Sequence, residues 1–454
     1  MKNIVFWCHI VPMKLSLYIN DMLLIFKILH FLQCIFSFVA CDILKLPLTR
    51  SRLEFEDYKD EYAQSFHNSH DSAYATFHVS SEGEFAQIVY FLEHLLKNQK
   101  KIELIYTSPS LKRRMRRFKD DHSCEFLRII RLPILKRFHL NKWSTSDSLI
   151  MVRYDFFPTL MILGLSKKKF ILYSASLKSS SVVSRFIKIA HLRCFTHLIP
   201  ATKNDLKELK GTLRNDVSSP LDLRVLEINS RQRSPSKGAI QILNTMDEML
   251  FSKFSHQDRF LFSQVWDYEE GLLNRTIEQS CEKMPGGQLI YMAPHNISDE
   301  NKTLFKSQLS KHKDFQLVVF EKGMSHIEIE SVLTRLNIKG TEKIIILSMV
   351  PGILCELYPY FAHCYVGGGF GKGIHSVLEP FVANSSIQVG PKVQRSTEYE
   401  TIKSLGVEVK IIDSLQDVVL LDPSFSHESV DVSDYIRHNK ESMSAFEEVL
   451  KRDA

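Results

Sequence analysis

The stretch Tyr365-Val366-Gly367-Gly368-Gly369-Phe370-Gly371-Lys372-Gly373-Ile374-His375-Ser376-Val377-Leu378-Glu379-Pro380 decides the fold class. An apolar run that reads as a strand enters five glycines within seven residues, and a short helical segment follows. Glycine permits positive φ and close backbone approach, so the amides of such a loop can converge on an anion at a helix start. The spacing is neither Gly-x-Gly-x-x-Gly nor Gly-Lys-Ser/Thr, which excludes the dinucleotide fingerprint and the Walker A loop and leaves another kind of phosphate-bearing donor. His375 and Glu379 are four apart, a spacing that puts them on one helix face. Glu379 can accept two ribose hydroxyls there, and His375 can donate to a phosphate or a sugar carboxylate.

Working outward, short β-rich runs alternate with helical stretches on both sides of the loop. In the second half, strands are expected at 288–291, 315–320, 343–347, 362–366, 387–389 and 407–412; in the first half at 74–79, 101–106, 149–152, 170–173 and 198–200. This alternation predicts parallel sheets covered by helices. A polar stretch of weak periodicity near 203–237, with Ser218-Ser219-Pro220 and Ser234-Pro235, reads as a hinge. The expected organisation is an apolar membrane anchor (1–45), a Rossmann-like acceptor domain (46–205), a hinge (206–237), a Rossmann-like donor domain (238–425) and a helical tail (426–454). The fold class is α/β, with two doubly wound domains facing a cleft, and ligands are expected outside the carboxyl ends of the strands.

The 454 residues exceed what one hydrophobic core usually serves, and 44% hydrophobic content excludes a disordered chain. Seventeen Gly and 15 Pro are too few for a fibrous protein. A net charge of +6, from 58 Lys+Arg against 52 Asp+Glu, is too mild to argue for nucleic acid. The 8 cysteines are scattered with no Cys-x-x-Cys pair, which excludes a zinc ribbon and points to reduced thiols. No Asp-x-Asp or His/Asp cluster offers a divalent-metal site.

Residues 22–41 are apolar over roughly the 20 residues a helix needs to cross a bilayer. Lys27, His30 and Gln33 interrupt the run along one side, so the segment spans, lies flat in the interface or packs as a buried core helix. Lys45, Arg50 and Arg52 follow it and put the remainder of the chain on the cytoplasmic side. Ser108-Pro109 opens a helix carrying Lys112, Arg113, Arg114, Arg116, Arg117 and Lys119, six cations in eight residues. Beside an anchor, such a cluster attracts anionic headgroups or clamps lipid phosphates; otherwise it is a solvated basic face.

The glycine run, followed by Gly390-Pro391, resembles the donor loop of the 3-deoxy-D-manno-octulosonic acid (Kdo) transferases, membrane-anchored GT-B glycosyltransferases of lipopolysaccharide assembly. Four further segments resemble that family, in its order: His78-Val79-Ser80-Ser81-Glu82-Gly83-Glu84, Tyr106-Thr107-Ser108-Pro109-Ser110, Tyr154-Asp155-Phe156-Phe157-Pro158 and Ala293-Pro294-His295. The resemblance implies transfer of Kdo from CMP-Kdo to a lipid A precursor at the bacterial inner membrane, without metal or cofactor. It implies Glu84, on a Gly-relieved turn, as general base. Gly368, Gly369, Gly371, Gly373, His375, Ser376, Glu379, His295 and Arg214 would hold the donor, and Ser81, Ser108, Ser110, Asp155, Arg113 and Arg114 the acceptor. Asp155 stands where the family has Glu, Ser376 where it has Asn, Ser176 where Arg is common and Met349 where an acid is usual. Ser263-Gln264-Val265-Trp266 occupies the position of a Gly-Ser pair.

Overall fold

The structure, a computed structural model, describes residues 15–39, 72–122, 125–132, 144–178, 181–213, 215–283, 286–336, 338–394, 396–419 and 432–451. The chain divides into two compact units, Met1–Arg224 with Lys440–Ala454, and Val225–Asn439. Each is built on one all-parallel, seven-stranded sheet with helical crossovers, so the fold is the two-unit, GT-B-like α/β class expected from the alternation.

The first unit contains β1 (Ala75–Val79), β2 (Ile102–Tyr106), β3 (Leu127–Arg131), β4 (Ser148–Val152), β5 (Lys169–Ala175), β6 (His197–Pro200) and β7 (Asp216–Val217), in the order β3-β2-β1-β4-β5-β6-β7. Runs such as Ile-Glu-Leu-Ile-Tyr and Ser-Leu-Ile-Met-Val are buried along their whole length because helices cover both sheet faces. Glu103 is buried in the middle of β2. It is tolerated because Thr76, Arg128 and Thr145 all donate to its carboxylate. Strand order reverses between β1 and β4, which sets the switch point of this unit there.

The second unit contains β8 (Arg259–Val265), β9 (Gln288–Pro294), β10 (Gln316–Phe320), β11 (Lys343–Ser348), β12 (His363–Val366), β13 (Ser386–Val389) and β14 (Val409–Ile411), in the order β10-β11-β9-β8-β12-β13-β14. Its order reverses between β8 and β12, and the glycine run leaves β12 at that point. Each sheet carries an irregularity at a carboxyl end: Ser174 in β5 at φ 62° and Gln264 in β8 at φ 52°, both at register shifts. Such bulges re-aim the residues that follow them.

Strands β3, β7 and β8 were not among the expected ones. Arginines bracket the apolar middle of β3, and β7 is two residues long. The apolar run of β8 begins with Arg259, whose guanidinium donates to the carbonyls of Phe254 and Tyr360. The stretch read as a hinge contains two helices, Lys203–Thr212, capped by Thr202, and Leu223–Arg233.

Helix Leu15–Phe38 packs on the first unit. Phe26 is 1% exposed in the core beneath the helix Pro158–Leu165, with Met22 and Leu23 beside it, and His30 is hydrogen-bonded to Thr159 at 3.3 Å. The opposite side exposes Leu24, Ile28, Phe31, Leu32, Ile35 and Phe36. No described helix is long and apolar enough to cross a membrane. The helix Val432–Lys451 closes the described chain. Its final turns pack Phe446 on Phe91 at 5.1 Å, and Lys169 donates to the Leu450 carbonyl at 2.9 Å.

Candidate functional site

In the first unit, the expected residues gather at the carboxyl ends of β2, β1 and β4, which are neighbours in the sheet. Ser81 caps the helix Glu82–Lys97, accepting the Glu84 amide hydrogen at 3.2 Å. The side chain of Glu84 turns back over the cap, where both the amide and the hydroxyl of Ser80 donate to Oε2, at 2.7 and 2.8 Å. Gly83 is an ordinary helical residue with open space at its Cβ position and no positive φ, so the expected Gly-relieved turn is absent. The two serines aim Glu84 instead. Burial raises its pKa, the Ser80 donors oppose that shift, and the nearby Asp155 carboxylate adds to it. A helix N-terminus alone would lower it, so here desolvation wins.

Asp155, just beyond β4, has a buried Oδ2 with no hydrogen-bond partner. Between β4 and Asp155, Arg153 adopts φ 61°, a conformation that costs a non-glycine residue about 1–3 kcal/mol. Its guanidinium is within hydrogen-bonding distance of the Gln87 amide, at 2.9 and 3.0 Å once that amide is oriented with its oxygen toward the arginine. Ser108 and Ser110 bond each other at 2.8 Å around a one-turn helix, Pro109–Leu111. The basic helix Lys112–Asp120 follows, with Met115 and Phe118 facing inward and Arg113 and Arg114 outward. Arg114 lies over the Phe85 ring at 5.3 Å. Arg214 lies outside the described residues.

In the second unit, the glycine loop is held by contacts that sequence reading did not foresee. Glu269 is fully buried three residues beyond Trp266. Its Oε1 accepts the Gly368 amide hydrogen at 3.0 Å and the Tyr365 hydroxyl at 2.9 Å, and Oε2 accepts the Trp266 amide hydrogen at 2.9 Å. The available signal was an acid three residues after Trp266, the spacing at which a side chain reaches back to cap its own turn. Gly368 sits at φ 98°, and a Cβ on Gly369 would meet the Gly390 backbone at 2.6 Å, so both positions require glycine. The loop amides of Gly371, His375 and Lys392 are used internally, whereas those of Gly369, Lys372, Gly373 and Ser376 have no protein acceptor among the described contacts.

His375 and Glu379 do not share a helix face. The helix starts only at Leu378, and His375 belongs to the irregular segment before it. The His375 ring is instead enclosed by other rings. The Trp266 indole N–H donates to its Nε2 at 2.9 Å, and His295, at the end of β9, stacks on both rings, 4.1 Å from Trp266 and 4.4 Å from His375. Burial and the neighbouring His295 push the His375 pKa down to about 4, and burial lowers that of His295 as well.

Glu379 has a buried Oε2 without a hydrogen-bond partner, and burial raises its pKa to about 7 against the opposing pull of Arg231. Arg231 is itself committed to Glu356 in a two-pronged ion pair at 2.9 and 3.0 Å. A cavity of about 470 Å³ lined by Asn229, Gln232, Val382, Asn384 and Ile436 contains none of the expected donor residues. Among the described residues no cluster of His, Cys, Asp or Glu is arranged to hold a metal ion.

No family model matches the chain, and no curated protein matches it. Solved structures similar to it include the C-terminal CMP-Kdo binding domain of WaaA from Acinetobacter baumannii, at 16% identity over 47% of this chain and 94% of that one, with a TM-score of 0.29. UDP-GlcNAc 2-epimerase from Neisseria meningitidis is similar at 10% identity over 83% and 93%, with a TM-score of 0.47. A trehalose-phosphate synthase from Burkholderia vietnamiensis is similar at 10% over 84% and 98%, with a TM-score of 0.38. The first of these is, by its name, a binding domain for CMP-Kdo. At such identities substrate does not follow from likeness.

Proposed function

We propose that this chain is a glycosyltransferase that moves Kdo from CMP-Kdo to a lipid A precursor. The observation that carries the reading is the pairing, in the second unit, of a buried carboxylate oxygen lacking any hydrogen-bond partner with a glycine loop whose amides are partly open. A buried, unbonded carboxylate is costly unless a ligand completes it. The hydroxyls of a ribose suit Glu379, and the phosphate of a nucleoside monophosphate suits the amides of Gly369, Gly373 and Ser376. The neutral His375 supplies a further donor for phosphate or for the Kdo carboxylate.

In the first unit, Glu84 is the general base. Its desolvation raises its proton affinity, which suits removal of a proton from an attacking sugar hydroxyl. The Ser80 donors hold one carboxylate oxygen in place, and Asp155 contributes an unbonded oxygen for an acceptor hydroxyl. The displaced group is CMP, whose developing charge falls on the loop amides, so fixed backbone dipoles take the role a metal serves elsewhere.

The acceptor is membrane-borne. The apolar outer side of helix Leu15–Phe38 and the exposed arginines of helix Lys112–Asp120 suit a chain attached to the cytoplasmic leaflet, the former in the interface and the latter on anionic headgroups or lipid A phosphates. The test is to incubate purified protein with CMP-Kdo and lipid A precursor and weigh the lipid. A gain of one or more Kdo units supports the reading. Gain only with another sugar nucleotide would assign a different donor, and no gain with any would leave a binding protein on a transferase scaffold.

A further inference from the structure

We propose that Trp266 is a positioning residue that fixes His375 as the neutral Nδ1–H tautomer, making that imidazole a permanent hydrogen-bond donor to the anionic part of the donor sugar nucleotide. The inference rests on the donor-site reading above and on Trp266, which ends the segment Ser263-Gln264-Val265-Trp266 that stands where the resembling family has a Gly-Ser pair.

The geometry allows one assignment. An indole nitrogen donates and never accepts, so the 2.9 Å contact from Trp266 Nε1 to His375 Nε2 requires a lone pair on Nε2. A neutral ring with Nε2 unprotonated carries its hydrogen on Nδ1, and no described protein acceptor takes that hydrogen. The two rings are nearly coplanar, 11° apart with centroids at 6.0 Å, as an edge-to-edge hydrogen bond demands. His295 lies across both faces, at interplanar angles of 20° and 22°, and prevents either ring from swinging out of plane on that side. Gly368 sits beneath the imidazole so closely that a Cβ there would meet His375 Cδ2 at 3.0 Å.

Protonation of His375 would put a second N–H against the indole N–H, two donors facing each other. The other groups around the ring do not offset that repulsion. His295 is a potential second cation. The Glu269 carboxylate is consumed by Gly368, Tyr365 and Trp266. Glu398 is held by the Val377 amide, and Lys392 is tied to the carbonyls of Phe370 and Gly371. The low pKa of His375 agrees with this arrangement. A pH-insensitive neutral donor binds phosphate or carboxylate by direction, and does so without the charge change that an ordinary histidine undergoes near pH 6.5.

Trp266→Phe keeps an aromatic ring against His295, smaller than the indole, and deletes the N–H donor. Long-range proton–nitrogen NMR of the His375 ring reads tautomer and titration directly, without any substrate. The wild type is expected to be Nδ1–H from pH 5.5 to 8. The Phe variant should show mixed tautomers and a roughly tenfold higher proton affinity. His295→Ala, which keeps the indole donor, should leave the tautomer unchanged. CMP titration over pH 4 to 8 should show in Trp266→Phe an acid-side pH dependence that the wild type lacks, on top of the dependence both share from the CMP phosphate and Glu379. An unaltered tautomer and titration in Trp266→Phe would overturn the proposal even if CMP binds. Absence of CMP binding by the wild type, with the tautomer as stated, would instead remove the donor-site reading and leave the tautomer assignment standing.

Discussion

Glu269 accepts the Gly368 amide hydrogen at 3.0 Å with one carboxylate oxygen and the Trp266 amide hydrogen at 2.9 Å with the other, so one buried side chain ties the glycine loop to the segment leaving β8. The loop is thereby preorganised before any ligand arrives. Glu269→Gln replaces one acceptor by an NH2 group facing an amide donor. Loss of roughly 2–3 kcal/mol is expected. Urea denaturation should show a lower midpoint with unchanged slope, and weaker CMP binding should accompany it.

Glu379 couples stability to pH. Its carboxyl is raised from 4.5 to about 7 in the folded protein, so the folded state holds the proton more tightly than the unfolded one. The favourable contribution is complete below the unfolded value and disappears as pH rises from about 4.5 through about 7. Glu379→Gln should therefore leave stability nearly unchanged at pH 4 and raise it by up to about 3 kcal/mol at pH 8. If the carboxylate receives ribose hydroxyls, the same variant should bind CMP roughly 10- to 100-fold more weakly at pH 8. Thermal melts and CMP titrations at the two pH values check both halves.

Gly368→Ala tests the loop conformation. A Cβ at φ 98° would also meet the Gly373 carbonyl at 2.7 Å. A cost of roughly 1–3 kcal/mol is expected, together with loss of CMP affinity. Gly83→Ala is the control, because its Cβ position is open and its backbone helical; it should be neutral or slightly stabilising.

The final turns of the last helix, from Lys440 on, belong to the first unit. Phe446 is 3% exposed and packs on Phe91, so Phe446→Ala should cost about 3–5 kcal/mol and melt that unit first. A melt indistinguishable from wild type would show the helix to be dispensable.

Charge reversal at Arg113 and Arg114 should reduce binding to vesicles containing anionic lipid, with the difference shrinking as salt rises. Replacing Ile28, Phe31 and Leu32 by serine should reduce binding at every ionic strength, because that contribution is apolar.

Much of the fold was legible because parallel strands buried on both faces leave continuous apolar runs, as at 149–152 and 344–347. What failed to show were strands whose apolar runs carry arginines, β3 and β8, since the pattern cannot reveal that Arg128 meets Glu103, Arg131 the Tyr106 hydroxyl and Arg259 the carbonyls of Phe254 and Tyr360. The glycine run was legible as a loop, but its anchor was not. Glu269 lies about a hundred residues upstream, and only the fold brings it to Gly368. Glu84 was legible as a residue and misread in its support. The Ser80 and Ser81 side chains aim it, whereas Gly83 does not. The four-residue spacing of His375 and Glu379 misled because the helix begins after His375, leaving that ring free to meet Trp266 and His295.

Glu84→Gln keeps size and helix position while removing the base. The most direct measurement is single-turnover transfer from CMP-Kdo to lipid A precursor, compared with CMP affinity in the same preparation. Turnover should fall by about 10²- to 10⁴-fold with CMP affinity within about twofold of wild type. Near-normal transfer by the variant would contradict Glu84 as the base.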